Sequence, residues 1–159
     1  MSYLLRIMQL QDVPEILDYE QQKLAEQFPD EAERMIQSWK VKWRKEALEH
    51  YARLGWSFVA RDEHHVTEKS PEGLLMGYFI AQPLLFFDGQ TQTLWVEYLQ
   101  YSSLKARDEL AELAYKLARE KHLQKVLFLN ENNVANSVAG FKPETWTTSV
   151  LSVKTTKAL

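Results

Sequence analysis

The chain has 159 residues, of which 45% are hydrophobic and 26% are charged, a composition typical of a folded soluble domain with a sizeable core. Its net charge of -3 argues against a general attraction to nucleic acid. The absence of cysteine excludes a disulfide framework and thiolate chemistry. No apolar run approaches the roughly 20 residues of a membrane span. We therefore expect one domain over residues 1–159, in a cytoplasmic protein with no nucleic-acid or membrane partner.

The first third of the chain predicts one strand followed by two helices. Tyr3–Met8 reads as a strand. Asp12 is placed to cap a helix, with Pro14 in its first turn, where a missing N–H costs little. A capping signal at Asp30 then opens a long predicted helix that runs to Leu54, and Gly55 supplies its C-terminal stop.

Three aromatic residues lie on the apolar stripe of this second helix, namely Trp39, Trp43 and Tyr51. Two interpretations stay open for them. In the first, they belong to the hydrophobic core, which is the commoner place for aromatic side chains at helical spacing. In the second, they line a cleft that receives a substrate.

The middle of the chain predicts three strands. A short strand at Trp56–Ala60 precedes a charged, turn-rich segment, Arg61–Gly73, which we expect to be an exposed loop. Leu74–Phe87 is a long apolar strand. Asp88-Gly89 is a hairpin signal, so Leu94–Tyr101 should return antiparallel to it.

An amphipathic helix dominates the stretch that follows, Ser102–Phe128. Its apolar residues recur at helical spacing, so they lie on one face: Leu110, Leu113, Ala114, Leu117 and Ala118. A buried strand at Lys125–Asn130 should then run parallel to Leu94–Tyr101, because a helix of this length connects them. The helix N-terminus would offer free N–H groups and partial positive charge, which suit a phosphate.

The C-terminal part predicts a polar loop, a short helix and a final strand. The loop is Asn130–Asn136, Gly140 ends the helix, and Trp146–Val153 forms the closing strand or hairpin arm. We expect no metal site, since the adjacent His64 and His65 would point apart and no cysteine or carboxylate spacing supports them.

The predicted order β-α-α-β-β-β-α-β-α-β, together with three short motifs, resembles the GNAT superfamily of acetyl-CoA-dependent N-acetyltransferases. The motifs are Arg6-x-Met8 followed by Asp12 and Ile16, Met76-Gly77-Tyr78, and Asn132-x-x-Ala135 followed by Gly140-Phe141. The resemblance implies an α/β (α+β) fold, in which helices flank a mostly antiparallel central sheet with one parallel, splayed strand pair. It also implies transfer of an acyl group from acetyl-CoA to an amine of a small molecule or peptide.

The phosphate signature of this family, Arg/Gln-x-x-Gly-x-Gly/Ala, is missing at the start of the central helix. In the register set by the helix, Ser102 takes the first position, and Lys105 and Arg107 take the positions of the two small residues. Their side chains would either occlude a backbone cradle for pyrophosphate or bind the phosphates directly. The resemblance places the cofactor-binding residues at Leu99, Tyr101, Lys105, Ala106, Arg107 and Asp108.

The catalytic candidates are Glu97 and Tyr101. Glu97 is the only acid in the strand pair and is the predicted base for an amine, although a carboxylate facing solvent or paired with a cation is the competing interpretation. Many relatives carry a tyrosine on the short C-terminal helix that protonates the leaving thiolate, but Asn136–Ala139 contains none. Tyr101 and Ser137 are the candidate replacements.

The sequence leaves two functions open. One is an N-acetyltransferase that uses acetyl-CoA. The other is a catalytically silent domain of the same fold that binds a ligand or a protein, an interpretation favoured by the altered phosphate signature and the missing tyrosine. No pattern identifies the acceptor, and the oligomeric state stays open, with a homodimer among the alternatives.

Overall fold

The computed structural model describes residues 2–39, 43–84, 92–129 and 133–143. These residues form five strands, five α-helices and two short 3-10 turns at Leu10–Asp12 and Ala139–Phe141. The strands are β1 (Leu4–Ile7), β2 (Phe58–Asp62), β3 (Leu74–Leu84), β4 (Thr93–Tyr101) and β5 (Lys125–Phe128). The helices are α1 (Val13–Gln27), α2 (Glu31–Ser38), α3 (Lys45–Leu54), α4 (Leu104–Glu120) and α5 (Val134–Ser137).

The strands form a single sheet in the order β1-β2-β3-β4-β5. The first four are antiparallel neighbours, and β5 pairs with β4 in parallel. Helix α4 connects the parallel pair, as its length requires. The predicted mixed sheet with one parallel pair, flanked by helices, is confirmed.

Hydrophobic residues cover both faces of the sheet. On one face, which we call the α4 face, Leu110 and Ala114 of α4 pack with strand residues such as Phe79 and Leu99. The apolar stripe predicted for α4 provides this contact. On the opposite face, which we call the α1/α3 face, Ile16 of α1 and Leu48 of α3 pack with strand residues that include Tyr78, Ile80 and Tyr98.

The prediction of one long helix from Asp30 to Leu54 is wrong, because the structure has two helices within this range. Asp30 caps α2, as expected, with its carboxylate accepting from the N–H of Ala32 at 3.4 Å. Helix α2 ends at Ser38, and α3 begins only at Lys45. Gly55 ends α3 with a left-handed φ of 79°, as predicted.

Asp12 precedes α1 but does not cap it with its side chain. Its buried carboxylate instead accepts hydrogen bonds from two guanidinium groups, Arg6 at 2.7 and 2.8 Å and Arg61 at 2.7 Å. Burial alone would raise the pKa of Asp12, but the bonds from Arg6, Gln9 and Arg61 outweigh it and lower this pKa. Asp12 therefore joins α1 to β1 and β2.

The segment predicted to be an exposed loop, Arg61–Gly73, is exposed only in part. Residues 63–69 are exposed, whereas Arg61 is 4% exposed and Ser70 and Gly73 are buried. Arg61 belongs to β2, and its guanidinium also binds the Glu15 carboxylate at 2.6 Å and the Gly73 carbonyl at 2.8 Å. The prediction for Arg61 is wrong because its charge is paired inside the fold.

Two further predictions lie outside the described residues, the Asp88-Gly89 hairpin turn and the strand at Trp146–Val153. Within the ranges that are described, no helix is long and apolar enough to cross a membrane.

Candidate functional site

The pairing of β4 changes near the middle of the strand. The parallel ladder with β5 runs from Thr93 opposite Lys125 to Val96 opposite Phe128 and ends there. On the other side of β4, Ile80 pairs with Tyr98 and Ala81 with Val96, so Glu97 is an extra residue in a β-bulge. Beyond the bulge, β4 continues to Tyr101 and leads directly into α4. The pairing of β4 with β5 thus ends next to the Glu97 carboxylate, on the strand that leads into the N-terminus of α4.

The bulge directs Glu97 towards the α1/α3 face. Its Oε1 accepts a hydrogen bond from Gln82 Nε2 at 3.0 Å. Its Oε2 is buried and has no hydrogen-bond partner among the described residues. Burial raises the pKa of Tyr51 above its ordinary value, and a hydrogen-bonding interaction with the Glu97 carboxylate and the charge of that carboxylate raise this pKa further. The predicted base is therefore half-buried among the side chains of the α1/α3 face and does not face open solvent.

Aromatic rings surround this part of β4. The Trp43 ring contacts Tyr51 edge-on, with 5.6 Å between centroids, and lies 5.9 Å from the Tyr98 ring. Its indole N–H is buried without a partner in the described ranges. Trp43 and Tyr51 thus lie together beside Glu97, which agrees with both interpretations of these aromatics. Trp39 is 74% exposed and belongs to neither the core nor this cluster of rings.

Glu20 is a second carboxylate on this face, and it was not among the residues predicted from the sequence. It lies on α1 and accepts hydrogen bonds from the hydroxyl groups of Tyr78 and Tyr98, the latter at 3.4 Å. Burial raises the pKa of Glu20, and the hydrogen bonds from the two phenols oppose this shift without cancelling it. A signal was present in the sequence, because position 20 follows the buried Ile16 by four residues and so lies on the buried stripe of α1.

One further contact fixes α1 against the end of β4, and a second joins two side chains of β4 itself. The hydroxyl groups of Tyr19 and Ser102 are 2.7 Å apart, and Tyr19 is buried. Gln100 donates from Nε2 to the Tyr98 hydroxyl at 3.0 Å. Ser102 therefore anchors the turn between β4 and α4, where the family would place an arginine or glutamine.

The N-terminus of α4 is capped from within the chain. Ser103 accepts from the N–H of Ala106 through its side chain and from the N–H of Arg107 through its carbonyl, both at 3.1 Å. The N–H groups of Leu104 and Lys105 lie in the first turn, where an α-helix has no internal acceptor for them. Ala106 is buried, as a residue at the base of a phosphate loop would be.

The two cations of the altered signature have different environments. Lys105 is exposed, with its Nζ 5.2 Å from the centroid of the Tyr3 ring. Arg107 is only 7% exposed, lies over the Tyr101 ring at 5.7 Å and donates to Asp108 Oδ1 at 3.1 Å. The sequence did not distinguish the two. Lys105 is available at the surface, whereas Arg107 is held inside.

The remaining predicted site residues lie mostly on the α4 face. Leu99 is buried there and Tyr101 packs against the same core, whereas Glu97 contacts the opposite face. Asp108 accepts from the Ser137 hydroxyl at 2.7 Å, so α5 contacts the start of α4. The structure thus brings together the predicted cofactor-binding residues, but it does not place the predicted base beside Tyr101.

Comparison with known proteins identifies the fold. No family model and no curated protein sequence matches the chain. Three similar solved structures are TTHA1254 from Thermus thermophilus (19% identity, 98% of this chain and 99% of that chain, TM-score 0.58), a GNAT-family acetyltransferase from Listeria monocytogenes 4b F2365 (13%, 92% and 90%, 0.59) and the NatC complex bound to Gag peptide and CoA (12%, 89% and 84%, 0.57). The chain has the GNAT fold, as the resemblance implied.

Proposed function

We propose that this protein is an acetyl-CoA-dependent N-acetyltransferase that acts on an amine of a small molecule or peptide. One observation carries the proposal: at the Glu97 bulge β4 parts from β5, and the strand then leads directly into the N-terminus of α4. This arrangement places a carboxylate next to an opening in the sheet and a dipole-bearing helix end beyond it. The likeness to the CoA-bound NatC structure supports the same cofactor here.

The residues at the start of α4 fit a pyrophosphate in part. The N–H groups of Leu104 and Lys105 and the Lys105 ammonium are the groups that would hold it. Arg107 is held by Asp108, so its contribution requires that this pair opens. The backbone of Leu99 and Tyr101, together with the buried Ala106, would line the remainder of the cofactor site. When bound, acetyl-CoA supplies the acyl thioester.

The chain's own contribution to the chemistry is the handling of one proton. An amine acceptor arrives as an ammonium ion and must become neutral before its nitrogen can attack. Glu97 is the proposed base, because its Oε2 has no partner among the described residues and is available to accept that proton. The thiolate that leaves must regain a proton, and Tyr101 is the proposed donor, although its ring packs on the α4 face under Arg107.

Calorimetric titration with acetyl-CoA and with CoA tests the proposal. Lys105→Ala should weaken CoA binding by roughly tenfold to a hundredfold, since one charge-assisted hydrogen bond is worth about 1.5–3 kcal/mol and 1.4 kcal/mol corresponds to a factor of ten. Lys116→Ala is the matched control, because Lys116 is an exposed cation of the same helix and pairs with Glu112. Absence of binding at millimolar CoA would refute the cofactor assignment.

Replacing both signature cations by glycine separates two roles for them. If Lys105 and Arg107 serve as phosphate ligands, the double glycine variant should bind CoA less tightly than the native protein. If instead their side chains block the backbone cradle, the variant should bind CoA more tightly. Equal affinities of the native protein and the variant would show that the pyrophosphate is held elsewhere.

A catalytically silent GNAT-like domain is the second candidate. The ion pair of Arg107 with Asp108, and the bond from Ser137 to Asp108, favour it because they satisfy groups that would otherwise face a cofactor. The two candidates differ in acetyl transfer. A protein that binds acetyl-CoA but acetylates none of a panel of amines and peptide N-termini would support the silent domain.

A further inference from the structure

Helix α2 presents its apolar face to solvent. Four apolar residues of α2 and its C-cap recur at i, i+3, i+4 and i+7, so they form one stripe, which we call the α2 stripe: Ala32, Met35, Ile36 and Trp39. All four are exposed, and the three large side chains are 55%, 50% and 74% exposed. The eight residues of α2 are all described, and none of them is buried, whereas α1, α3 and α4 each bury apolar residues.

The polar face of α2 lies towards the rest of the chain. Arg34, Gln37 and Ser38 are half-buried, and α2 lies next to α1. A surface helix that covers the core of its own chain has the opposite orientation, with its apolar stripe inside. Exposed apolar side chains that are grouped together and bordered by charged residues are typical of a surface that binds a partner.

The order of residues along α2 favours a second copy of this chain as the partner. Consider two copies of α2 that lie antiparallel about a two-fold axis centred between Met35 and Ile36. Each Met35 then lies opposite Ile36 of the other copy, and each small Ala32 lies opposite the large Trp39 of the other copy. The α2 stripe is therefore complementary to itself in size, as the interface of a two-fold dimer requires.

The charges that border the α2 stripe favour the same arrangement. The start of α2 is acidic, whereas four of the six residues at 40–45 are lysine or arginine. Arg44 and Lys45 are the described members of this basic segment, and both are exposed. An antiparallel pair brings the acidic start of each copy towards the basic segment of the other. An anionic membrane would attract the basic segment but repel the acidic start, which consists of Asp30, Glu31 and Glu33.

We infer that the protein forms a symmetric homodimer in which the α2 stripes of two copies pack antiparallel, with Trp39 of each copy over Ala32 of the other. This inference does not depend on acetyl transfer or on CoA. The α2 stripe is only two helical turns long and buries less surface than a standard interface, so we expect a weak dimer with a Kd of roughly 1–100 μM.

Sedimentation velocity at protein concentrations from about 5 to about 500 μM tests the inference, because the native protein should change from monomer to dimer within this range. Trp39→Ala should raise the Kd by at least about tenfold, since tryptophan side chains carry a large share of the affinity of small interfaces. Val66→Ala is the matched control. Val66 is an exposed apolar residue of the segment 63–69, and its replacement should leave the Kd unchanged.

Two acidic residues test the contribution of charge in the same assay. Replacing both Glu31 and Glu33 by lysine should weaken the dimer, because it places cations opposite the basic segment of the other copy. Glu112→Lys changes an exposed acid of α4 and should have no effect. These side chains are exposed, so circular dichroism should show that the variants fold.

An exchange of sizes tests the antiparallel pairing itself. Ala32→Trp alone places tryptophan opposite tryptophan, and Trp39→Ala alone places alanine opposite alanine, so each variant should dimerise poorly. In an equimolar mixture, every tryptophan of the first variant lies opposite an alanine of the second. The mixture should therefore form a dimer with a Kd within about threefold of the native value. If Ala32→Trp does not fold, the comparison of Trp39→Ala with Val66→Ala decides.

Each other result overturns the inference. A native protein that stays monomeric over the whole concentration range excludes the homodimer. A dimer with an unchanged Kd in Trp39→Ala uses another surface, and a mixture that fails to recover excludes the antiparallel pairing. If the native protein is monomeric but co-sediments with vesicles of phosphatidylserine and phosphatidylcholine, and Trp39→Ala does not, the α2 stripe binds lipid instead. These results are independent of whether the protein binds CoA.

Discussion

Gly77 lies on β3 opposite the end of β4 and beside α4, and replacing it by alanine should destabilise the fold. It pairs with Tyr101, the last residue of β4. An added Cβ would lie 2.6 Å from the Gln100 carbonyl oxygen, 3.1 Å from Leu110 Cδ1 and 3.2 Å from Tyr101 Cα. The Leu110 methyl group can move, but the two backbone contacts belong to the strand that forms the site.

The expected loss follows from these distances. Ordinary contacts begin near 3.4 Å, so the end of β4 must shift by about 0.8 Å relative to β3. Overpacking of this kind costs about 1–3 kcal/mol. For a chain of this size, each kcal/mol corresponds to roughly 2–4 °C in the melting temperature. Because α4 packs against the same place, the shift should also disturb the helix N-terminus.

Urea unfolding followed by circular dichroism measures the change in the free energy of unfolding. Gly140→Ala is the matched control, since an added Cβ there meets nothing within 4 Å, and its stability should differ from the native protein by less than about 0.5 kcal/mol. If Gly77→Ala is as stable as Gly140→Ala, the close approach of β3 and β4 carries no cost and the expected destabilisation is refuted.

Three further results are expected. Asp12→Asn weakens the charge-assisted bonds from Arg6 and Arg61, while Glu15 still pairs with Arg61, so it should cost about 1.5–3 kcal/mol in urea unfolding. Because the pKa of Asp12 is lowered by folding, its contribution should be complete at neutral pH and should be lost progressively as the pH falls below about 4 and through the lowered folded-state pKa, and the Asp12→Asn variant should lack that dependence. Ser103→Ala removes the cap of α4 and should cost about 1 kcal/mol by the same assay, whereas Ser103→Asn should retain most of the stability. Limited proteolysis should cut first within residues 63–69, and early cleavage inside α3 would contradict the assignment of this segment as the accessible one.

The central unit of β4, α4 and β5 could be predicted from sequence because its signals are local. The apolar stripe of α4 recurs at helical spacing, and Ser103 provides a cap at its start. A helix between two strands then requires the parallel pairing that the sheet shows. Each of these inferences needs only residues that are close together in the chain.

The break between α2 and α3 could not be predicted, because the apolar stripe continues across it. The predicted helix contains no glycine or proline before Gly55, so no local signal marks an end at Ser38. Tertiary contacts instead determine where the predicted helix is interrupted. Trp43 contacts Tyr98 of the sheet ahead of α3, while Trp39 is exposed. The interpretation of these aromatics as one helical stripe was wrong for this reason.

The two glutamates of the α1/α3 face show why the site was harder to predict than the fold. Glu97 was a candidate because it is the only acid on its strand pair. Glu20 interacts with Tyr78 and Tyr98, which follow it by 58 and 78 residues, so its environment depends on the packing of α1 against the sheet. Sequence spacing carries no record of such a contact.

The bulge at Glu97 determines which side chains of β4 lie on the α4 face and which lie on the α1/α3 face. Val96 packs on the α4 face, and in a regular strand Tyr98 would lie on that face too, because side chains alternate. One extra residue reverses the alternation. Tyr98 therefore lies beside Glu97 on the α1/α3 face, and Leu99 and Tyr101 turn towards α4. A single inserted position in β4 thus puts a cluster of aromatic rings and carboxylates on one face of the sheet and the end of the strand that leads into α4 on the other.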